Sequence, residues 1–202
     1  MNALEDMLRL VTELFARQCQ AWALVGGLAV SVRAEPRFTR DVDLAVAVPD
    51  DAAAEALVHQ LRNAGFRTQA VLEQNTTGRL ATARLALKEG RTAGLMLDLL
   101  FASSGIEPEI CQSAESLDVF PALSVPVARL HHLLVLKVLA RDDRTRPQDA
   151  ADIRALGAAA RPEDLRLARD AAQLVTQRGF NRSRDLSAAL TEAWETFGGS
   201  RT

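Results

Sequence analysis

The chain has 202 residues, of which 48% are hydrophobic and 25% are charged, and its formal net charge at pH 7 is −2. A chain of this length can bury a core without disulfides or a structural metal. The near-neutral charge excludes a strongly basic nucleic-acid coat and an acidic disordered tail. The two cysteines, Cys19 and Cys111, lie far apart and match no metal-ligand or redox spacing, which favours a reducing compartment.

The sequence carries no pattern typical of export or membrane insertion. Charged residues interrupt residues 1–15, where a signal peptide would need an apolar core. The most apolar stretch, 123–140, contains Pro126, Arg129 and Lys137, so it falls short of a membrane span. We therefore expect a soluble, cytoplasmic protein without a membrane partner.

Hydrophobic periodicity predicts an α/β first half. Apolar residues at i, i+3, i+4 and i+7 predict an amphipathic helix over 2–20. An apolar run over 21–25 that stops at two glycines predicts a buried strand. The further predicted elements are a short helix over 28–33, a strand over 41–48, a helix over 50–65, and strands over 66–72, 80–87 and 95–101. A turn is expected at Lys88, Glu89 and Gly90, and the whole order predicts a mixed sheet with flanking helices.

The second half is predicted to be helical. Helical patterns cover 127–140, 147–157, 162–178 and 182–197. No strand pattern occurs beyond about Val125, and Thr145 begins a capping-box spacing with proline in the first helical turn. We therefore predict an α/β (α+β) fold, with an α/β domain over 1–124 followed by a helical C-terminal domain over 125–202.

Two glycines and two aspartates suggest chemistry. Gly26 and Gly27 follow the strand over 21–25, and thirteen residues later Asp41 and Asp43 begin the next strand. Residues i and i+2 of a strand point to the same face, so the two carboxylates lie about 6–7 Å apart at the backbone. They repel unless a cation lies between them or one is protonated. Mg²⁺ suits such an oxygen-rich site, and backbone N–H groups at a glycine turn suit phosphate.

A third acid lies within an apolar strand. Asp98 interrupts the run over 95–101, where burying a lone carboxylate is costly. A divalent ion shared with Asp41 and Asp43 would offset that cost. Three acids with one or two divalent ions match a two-metal site for phosphoryl transfer. The alternative interpretation is a structural acid whose polar partner lies elsewhere in the fold.

The glycine pair, the thirteen-residue spacing and the Asp-x-Asp pair resemble the nucleotidyltransferase superfamily, which has the polymerase-β-like fold. The run through Arg37, Thr39, Asp41 and Asp43 is similar to the Arg-x-Thr-x-Asp-x-Asp run of small bacterial nucleotidyltransferases related to AbiEii-type toxins. The resemblance covers about residues 20–102, and it implies a nucleotidyltransferase-like sheet with flanking helices.

The resemblance also implies roles for these residues. It implies that Mg²⁺ or Mn²⁺ is held by three carboxylates, those of Asp41, Asp43 and Asp98. It implies that the substrate NTP is bound by Gly26, Gly27, Arg37 and Thr39. Gly27 replaces the serine that is commoner at this position of the superfamily, which leaves Ser31 as a candidate for side-chain contact with phosphate.

In these relatives a helical part follows, with a lysine and a downstream acid. The matching residues are Lys137 and either Asp149 or Asp152. The resemblance implies that Lys137 is a catalytic residue in contact with nucleotide phosphate, and that one of the two acids supports it. A lysine in an apolar helix could instead bury its stem and extend its amine to solvent.

The resulting hypothesis is a metal-dependent nucleotidyltransferase that moves NMP from an NTP to tRNA or protein. The resemblance further implies the toxin of a toxin–antitoxin pair, with a cognate antitoxin as partner. Two alternatives stay open: an acceptor that is a small molecule, as in aminoglycoside-modifying relatives, and a catalytically inert nucleotide-binding module. The arginines that could contact polyphosphate or RNA are Arg33, Arg37 and Arg40.

Overall fold

The computed structural model describes residues 3–74, 77–87, 94–142 and 147–197. The predicted turn at Lys88, Glu89 and Gly90 and the predicted cap at Thr145 lie outside these residues. The elements in chain order are α1 (Ala3–Arg17), β1 (Trp22–Val25), α2 (Gly26–Arg33), β2 (Asp41–Val46), α3 (Asp51–Asn63), β3 (Phe66–Glu73), β4 (Leu80–Leu87), β5 (Met96–Leu100), α4 (Glu107–Ser113), β6 (Glu115–Phe120), β7 (Leu123–Val127), α5 (Leu130–Ala140), α6 (Pro147–Ala159), α7 (Pro162–Gln177) and α8 (Leu186–Phe197).

Seven strands in the described ranges form one mixed sheet in the order β3-β4-β5-β2-β1-β7-β6. At its centre, β2 is antiparallel to β1 and parallel to β5. β1 is parallel to β7 on its other side, and the pairs β3–β4, β4–β5 and β6–β7 are antiparallel. The predicted mixed α/β fold with flanking helices is therefore confirmed.

Most elements of the first half lie where the hydrophobic pattern predicts them. β4 has the predicted bounds, because its two faces alternate cleanly along the sequence. α2 begins at Gly26 rather than at residue 28, so the glycine pair forms the first turn of this helix. α8 begins at Leu186 rather than at residue 182.

The prediction of a wholly helical second half is wrong at its start. β7 reaches Val127, where it pairs with Leu24 of β1, and α5 begins only at Leu130. The strand was missed because it has five residues and contains Pro126, and proline weakens a strand assignment. β6 and α4 were not predicted either. The boundary placed after residue 124 lies inside β7, and the division into two domains stays a prediction.

The core lies between the sheet and the helices. α1 buries an apolar stripe that includes Met7, Leu8 and Phe15, and the ring of Phe15 meets Trp22 edge-on, with 5.8 Å between ring centroids. α5 is apolar around most of its surface and packs against α2, α6, α7 and α8. Among the helices of the described residues, none combines the length and apolarity needed to cross a membrane.

Candidate active site

Strand register brings the three predicted acids to one face of the sheet. In the parallel β2–β5 pair Asp43 lies opposite Asp98, and Asp41 lies two residues earlier on β2. In the antiparallel β4–β5 pair Arg84 lies on the other side of Asp98. Opposed residues of neighbouring strands share a face, so three carboxylates and one guanidinium meet there.

Arg84 forms a bidentate ion pair with Asp98. Its Nε donates to Oδ1 of Asp98 at 2.8 Å and its Nη2 donates to Oδ2 at 2.6 Å. The pKa of Arg84 is raised, chiefly by this hydrogen bonding and further by the negative charges of Asp98, Asp41 and Asp43, while partial burial opposes the shift. Arg84 therefore compensates the burial of the Asp98 carboxylate, and the predicted role of Asp98 as a metal ligand stays a prediction.

Arg84 was not among the predicted site residues. The alternation over 80–87 places it on the more polar face of its strand, which is a usable indication of exposure or pairing. Its partner depends on the register between β4 and β5, and the sequence pattern alone does not specify that register.

The glycine pair is required because charged side chains approach the backbone closely. Gly26 has a φ of +65°, and a Cβ built there would overlap the carboxylate of Asp43. A Cβ at Gly27 would overlap the guanidinium of Arg37. The guanidinium of Arg37 thus occupies the space that a serine side chain at position 27 would need. Val25, just before α2, contributes no side-chain cap to the helix, and the N-terminus of a helix favours a bound anion.

The Gly26→Ala variant is expected to lose about 10²-fold in the rate of the nucleotidyl transfer that the sequence resemblance implies, because the new Cβ displaces the Asp43 carboxylate and a misplacement of about 1 Å costs that much. Gly65→Ala is the matched control: Gly65 also has a positive φ, of +100°, but a Cβ there meets nothing within 4 Å. Initial rates with a labelled NTP provide the measurement. An equal loss in both variants would assign the effect to backbone strain and contradict the prediction.

A buried ion network joins α5 and α6 to the segment before β2. Nζ of Lys137 lies 3.0 Å from Oδ1 of Asp149 and 2.7 Å from Oδ2 of Asp152. Arg37 also pairs with Asp152, with its Nε 2.6 Å from Oδ1 and its Nη2 donating to Oδ2 at 3.0 Å. Lys137, Asp149 and Asp152 are all buried. Lys137 therefore does not extend its amine to bulk solvent, and both candidate acids contact it.

Ser31 and Thr39 have different positions. The hydroxyl of Ser31 donates to the Gly27 carbonyl at 3.0 Å and accepts from the Arg37 amide at 3.2 Å. These two bonds fix the backbone around Arg37. Ser31 does not line the cleft that holds the acids, so the structure does not bring it to the place where a phosphate contact was expected. Thr39 lines the cleft, and its Oγ1 accepts from the Asp41 amide at 3.4 Å.

The acids and the ion network open into one cleft of about 760 Å³ between the sheet and the helices α5 and α6. The predicted site residues in its lining are Gly26, Gly27, Arg37, Thr39, Asp41, Asp43, Asp98, Lys137 and Asp149. Apolar side chains of the sheet and of α5, including Leu100, Leu133 and Leu136, form another part of the wall. A cleft of this size, with an apolar wall and convergent charged groups, suits a nucleotide-sized ligand.

The comparison with known proteins agrees with this geometry. A family model described as nucleotidyl transferase AbiEii toxin, type IV toxin–antitoxin system, matches residues 9–200. No curated protein matches the chain significantly.

Solved nucleotidyltransferase structures resemble the chain at low identity. An antigenic nucleotidyltransferase-like protein from Paracoccidioides brasiliensis is 18% identical, covers 93% of this chain and 92% of its own, and has a TM-score of 0.56. The antibiotic-resistance factor ANT(2'')-Ia is 16% identical, with 97% and 96% covered and a TM-score of 0.51. The lincosamide antibiotic adenylyltransferase LnuA, solved with lincomycin bound, is 15% identical, with 79% and 100% covered and a TM-score of 0.50. These likenesses show a shared fold, and the family match over nearly the whole chain shows that the protein belongs to the AbiEii family of nucleotidyltransferase toxins.

Proposed function

We propose that the protein transfers a nucleoside monophosphate from an NTP to a hydroxyl group of an acceptor, with the help of Mg²⁺ or Mn²⁺. The observation that carries the proposal is one cleft in which Asp43 and Asp98 lie on adjacent strands, beside the glycine pair at a helix N-terminus and near the amine of Lys137. Carboxylates, backbone N–H groups and a cation in one cleft supply the positioning and charge stabilisation that nucleotidyl transfer needs.

The donor set fits a divalent ion. Mg²⁺ binds one or two protein carboxylates together with substrate phosphates. Asp41 and Asp43 share a face of β2 and line the cleft together with the N-terminus of α2. Within residues 3–74, 77–87, 94–142 and 147–197, no three His, Cys, Asp or Glu side chains are close enough to enclose an ion, and Asp98 is paired with Arg84. Asp41 and Asp43 would hold the ion, and Asp98 would join them on leaving Arg84. The ion would neutralise charge on the reacting phosphates.

The residues of the chain position the substrates and move one proton. The first-turn N–H groups of α2 bind the triphosphate, and Lys137 neutralises part of its charge. The acceptor hydroxyl oxygen attacks the α-phosphorus, a new P–O bond forms, and the bond to pyrophosphate breaks. Asp98 accepts the hydroxyl proton, and pyrophosphate leaves with the electron pair of the broken bond.

We propose an RNA end as the acceptor, because of an exposed aromatic side chain beside the cleft. Phe38 is 79% exposed, and the guanidinium of Arg40 lies 5.4 Å from its ring centroid. Its chain neighbours Arg37 and Thr39 both line the cleft. Unpaired bases stack on aromatic rings while arginine contacts the backbone phosphates. A protein or small-molecule acceptor would not use this pair in the same way.

The Phe38→Ala variant is expected to lower kcat/KM for the RNA acceptor by about 5- to 150-fold, the range that corresponds to about 1–3 kcal/mol of base stacking. The affinity for NTP should not change. Phe38→Trp should retain activity, since it keeps a ring for stacking. Val71→Ala is a control, because Val71 is also an exposed apolar residue but does not line the cleft. An unchanged kcat/KM in Phe38→Ala would contradict the assignment of an RNA acceptor.

The direct test of function incubates the purified protein with each of the four labelled NTPs, with Mg²⁺ or Mn²⁺, and with separate pools of total RNA, protein and small molecules. We expect label in the RNA pool. Label in the protein or small-molecule pool would keep the transfer reaction and reject the RNA acceptor. Nucleotide binding measured by calorimetry without any labelled product would indicate an inert binding module and contradict the proposed activity.

We further propose that this chain acts as a toxin in the cytoplasm, where NTPs and RNA are available to it, and that a cognate antitoxin binds it. The support is its membership of a toxin family of type IV toxin–antitoxin systems. A transferase that acts on a shared cellular pool is harmful whenever it is uninhibited, so expression of the chain by itself should slow growth. Co-expression of the cognate antitoxin should restore growth.

A further inference from the structure

The carboxylate of Asp98 has two competing uses. In the proposed reaction it joins a divalent ion and takes a proton. In the structure both of its oxygens accept hydrogen bonds from Arg84, at 2.8 and 2.6 Å. A guanidinium that contacts both oxygens leaves little room for a metal ion on the same carboxylate. Asp98 can therefore pair with Arg84 or bind a divalent ion, but it cannot do both at once.

We propose, on the basis of the proposed function, that Arg84 is a displaceable counter-cation of Asp98. It neutralises the carboxylate while the site holds no metal, and it releases the carboxylate when a divalent ion and an NTP bind. Arg84 is thus a positioning residue that acts through Asp98. Its presence makes metal binding in the absence of nucleotide weaker than the three carboxylates alone would allow.

The two partners differ in a way that permits this exchange. The side chain of Asp98 is 9% exposed and is fixed by its place on β5, whereas the side chain of Arg84 is 49% exposed and lines the cleft. Arg84 can therefore rotate away from Asp98 without moving the backbone of β4. When Arg84 leaves Asp98, water can hydrate its half-exposed guanidinium, and a divalent ion can take its place as the counter-charge of the buried carboxylate.

Charge favours the exchange once nucleotide is present. Asp41, Asp43 and Asp98 together carry a formal charge of −3, which Arg84 reduces to −2. A divalent ion in place of the guanidinium would reduce it to −1. The released guanidinium stays at the wall of the cleft, where NTP phosphates offer it a new anionic partner. The Arg37–Asp152 pair is not proposed to exchange in this way, because the buried Lys137 also pairs with Asp152.

The test is a Mn²⁺ titration of the full chain without nucleotide, followed by calorimetry or by the electron paramagnetic resonance of free Mn²⁺. We expect Arg84→Gln to bind Mn²⁺ about tenfold more tightly than the wild type, since removing a bidentate charged pair frees Asp98. Arg84→Lys, which keeps the charge without the bidentate geometry, should lie between them.

Two control variants separate competition for Asp98 from a general change in charge. Arg79 lies directly before β4, and its Nε pairs with Oδ1 of Asp51 at 2.7 Å. Neither residue lines the cleft. Arg182 lines the cleft, and its Nη2 donates to the Ser103 carbonyl at 3.3 Å. Arg79→Gln and Arg182→Gln should bind Mn²⁺ with nearly wild-type affinity. A tightening in Arg182→Gln equal to that in Arg84→Gln would overturn the inference.

Thermal unfolding provides a second measurement. In EDTA, Arg84→Gln should melt below the wild type, because its buried Asp98 lacks a counter-ion, and Mn²⁺ should raise its Tm more than it raises that of the wild type. A wild type that transfers nucleotide, together with an Arg84→Gln variant of unchanged Mn²⁺ affinity, would overturn this inference and leave the proposed function standing. Absence of both Mn²⁺ binding and nucleotide transfer in wild type and variant would overturn the two together.

Discussion

Asp43→Asn is expected to lower nucleotidyl transfer by about 10³-fold, the scale of losing one preorganised electrostatic group in an active site. Asparagine keeps the size of the side chain, so its contact with the backbone of Gly26 is preserved. It removes one of the carboxylates that face each other across β2 and β5. Because that removal relieves repulsion in the metal-free protein, Tm should stay the same or rise slightly.

The same substitution tests the toxin role. Expression of the wild type should slow growth, and expression of Asp43→Asn at the same level should not. Asp118→Asn is a matched control, since Asp118 is also a strand aspartate of this sheet but is exposed and does not line the cleft. Growth that is slowed equally by wild type and Asp43→Asn, or by neither, would reject the toxin role even if transfer activity is measured in vitro.

Asp152→Asn is expected to have the largest effect on stability, with a loss of about 3–5 kcal/mol in the free energy of unfolding, as for other broken buried ion pairs. Asp152 is 1% exposed, and its two oxygens face Arg37 and Lys137. The amide of asparagine would present a neutral group to both cations. Such a loss is a large part of the 5–15 kcal/mol typical of a folded protein.

Urea unfolding measures this effect, and Asp170→Asn is its control. Asp170 lies on α7 in an exposed i,i+4 pair with Arg166, and such pairs contribute about 0.3–0.5 kcal/mol. The midpoint for Asp170→Asn should therefore nearly match that of the wild type. Equal midpoints for Asp152→Asn and Asp170→Asn would show that the buried network does not stabilise the fold.

The sequence predicts elements well where the pattern is local. The alternation over 80–87 and the apolar run with one acid over 95–101 are complete within a few residues, and both segments are strands. The clustering of Asp41 and Asp43 follows from strand geometry alone. Their assigned roles, like those of Gly26 and Lys137, stay predictions that the variants described above can test.

Contacts between distant segments could not be predicted. Arg37 and Asp152 are 115 residues apart, and Arg84 finds Asp98 only through the register of an antiparallel pair. Composition hides these residues further, because 22 of the 24 basic residues are arginine and no single arginine stands out. β7 was missed for a related reason: it is a strand because β1 and β6 pair with it, although Pro126 weakens its own pattern.

The order of residues along the chain sets the order in which the cleft can be completed during translation. The three carboxylates, the glycine pair and Arg84 all precede residue 100, whereas Lys137 and Asp152 come much later. A nascent chain therefore holds the acids before it holds the helices α5 and α6 that form the opposite wall. Until α6 has emerged from the ribosome, Arg37 lacks its carboxylate partner. The enzyme thus acquires both walls of the cleft only near the end of its own synthesis.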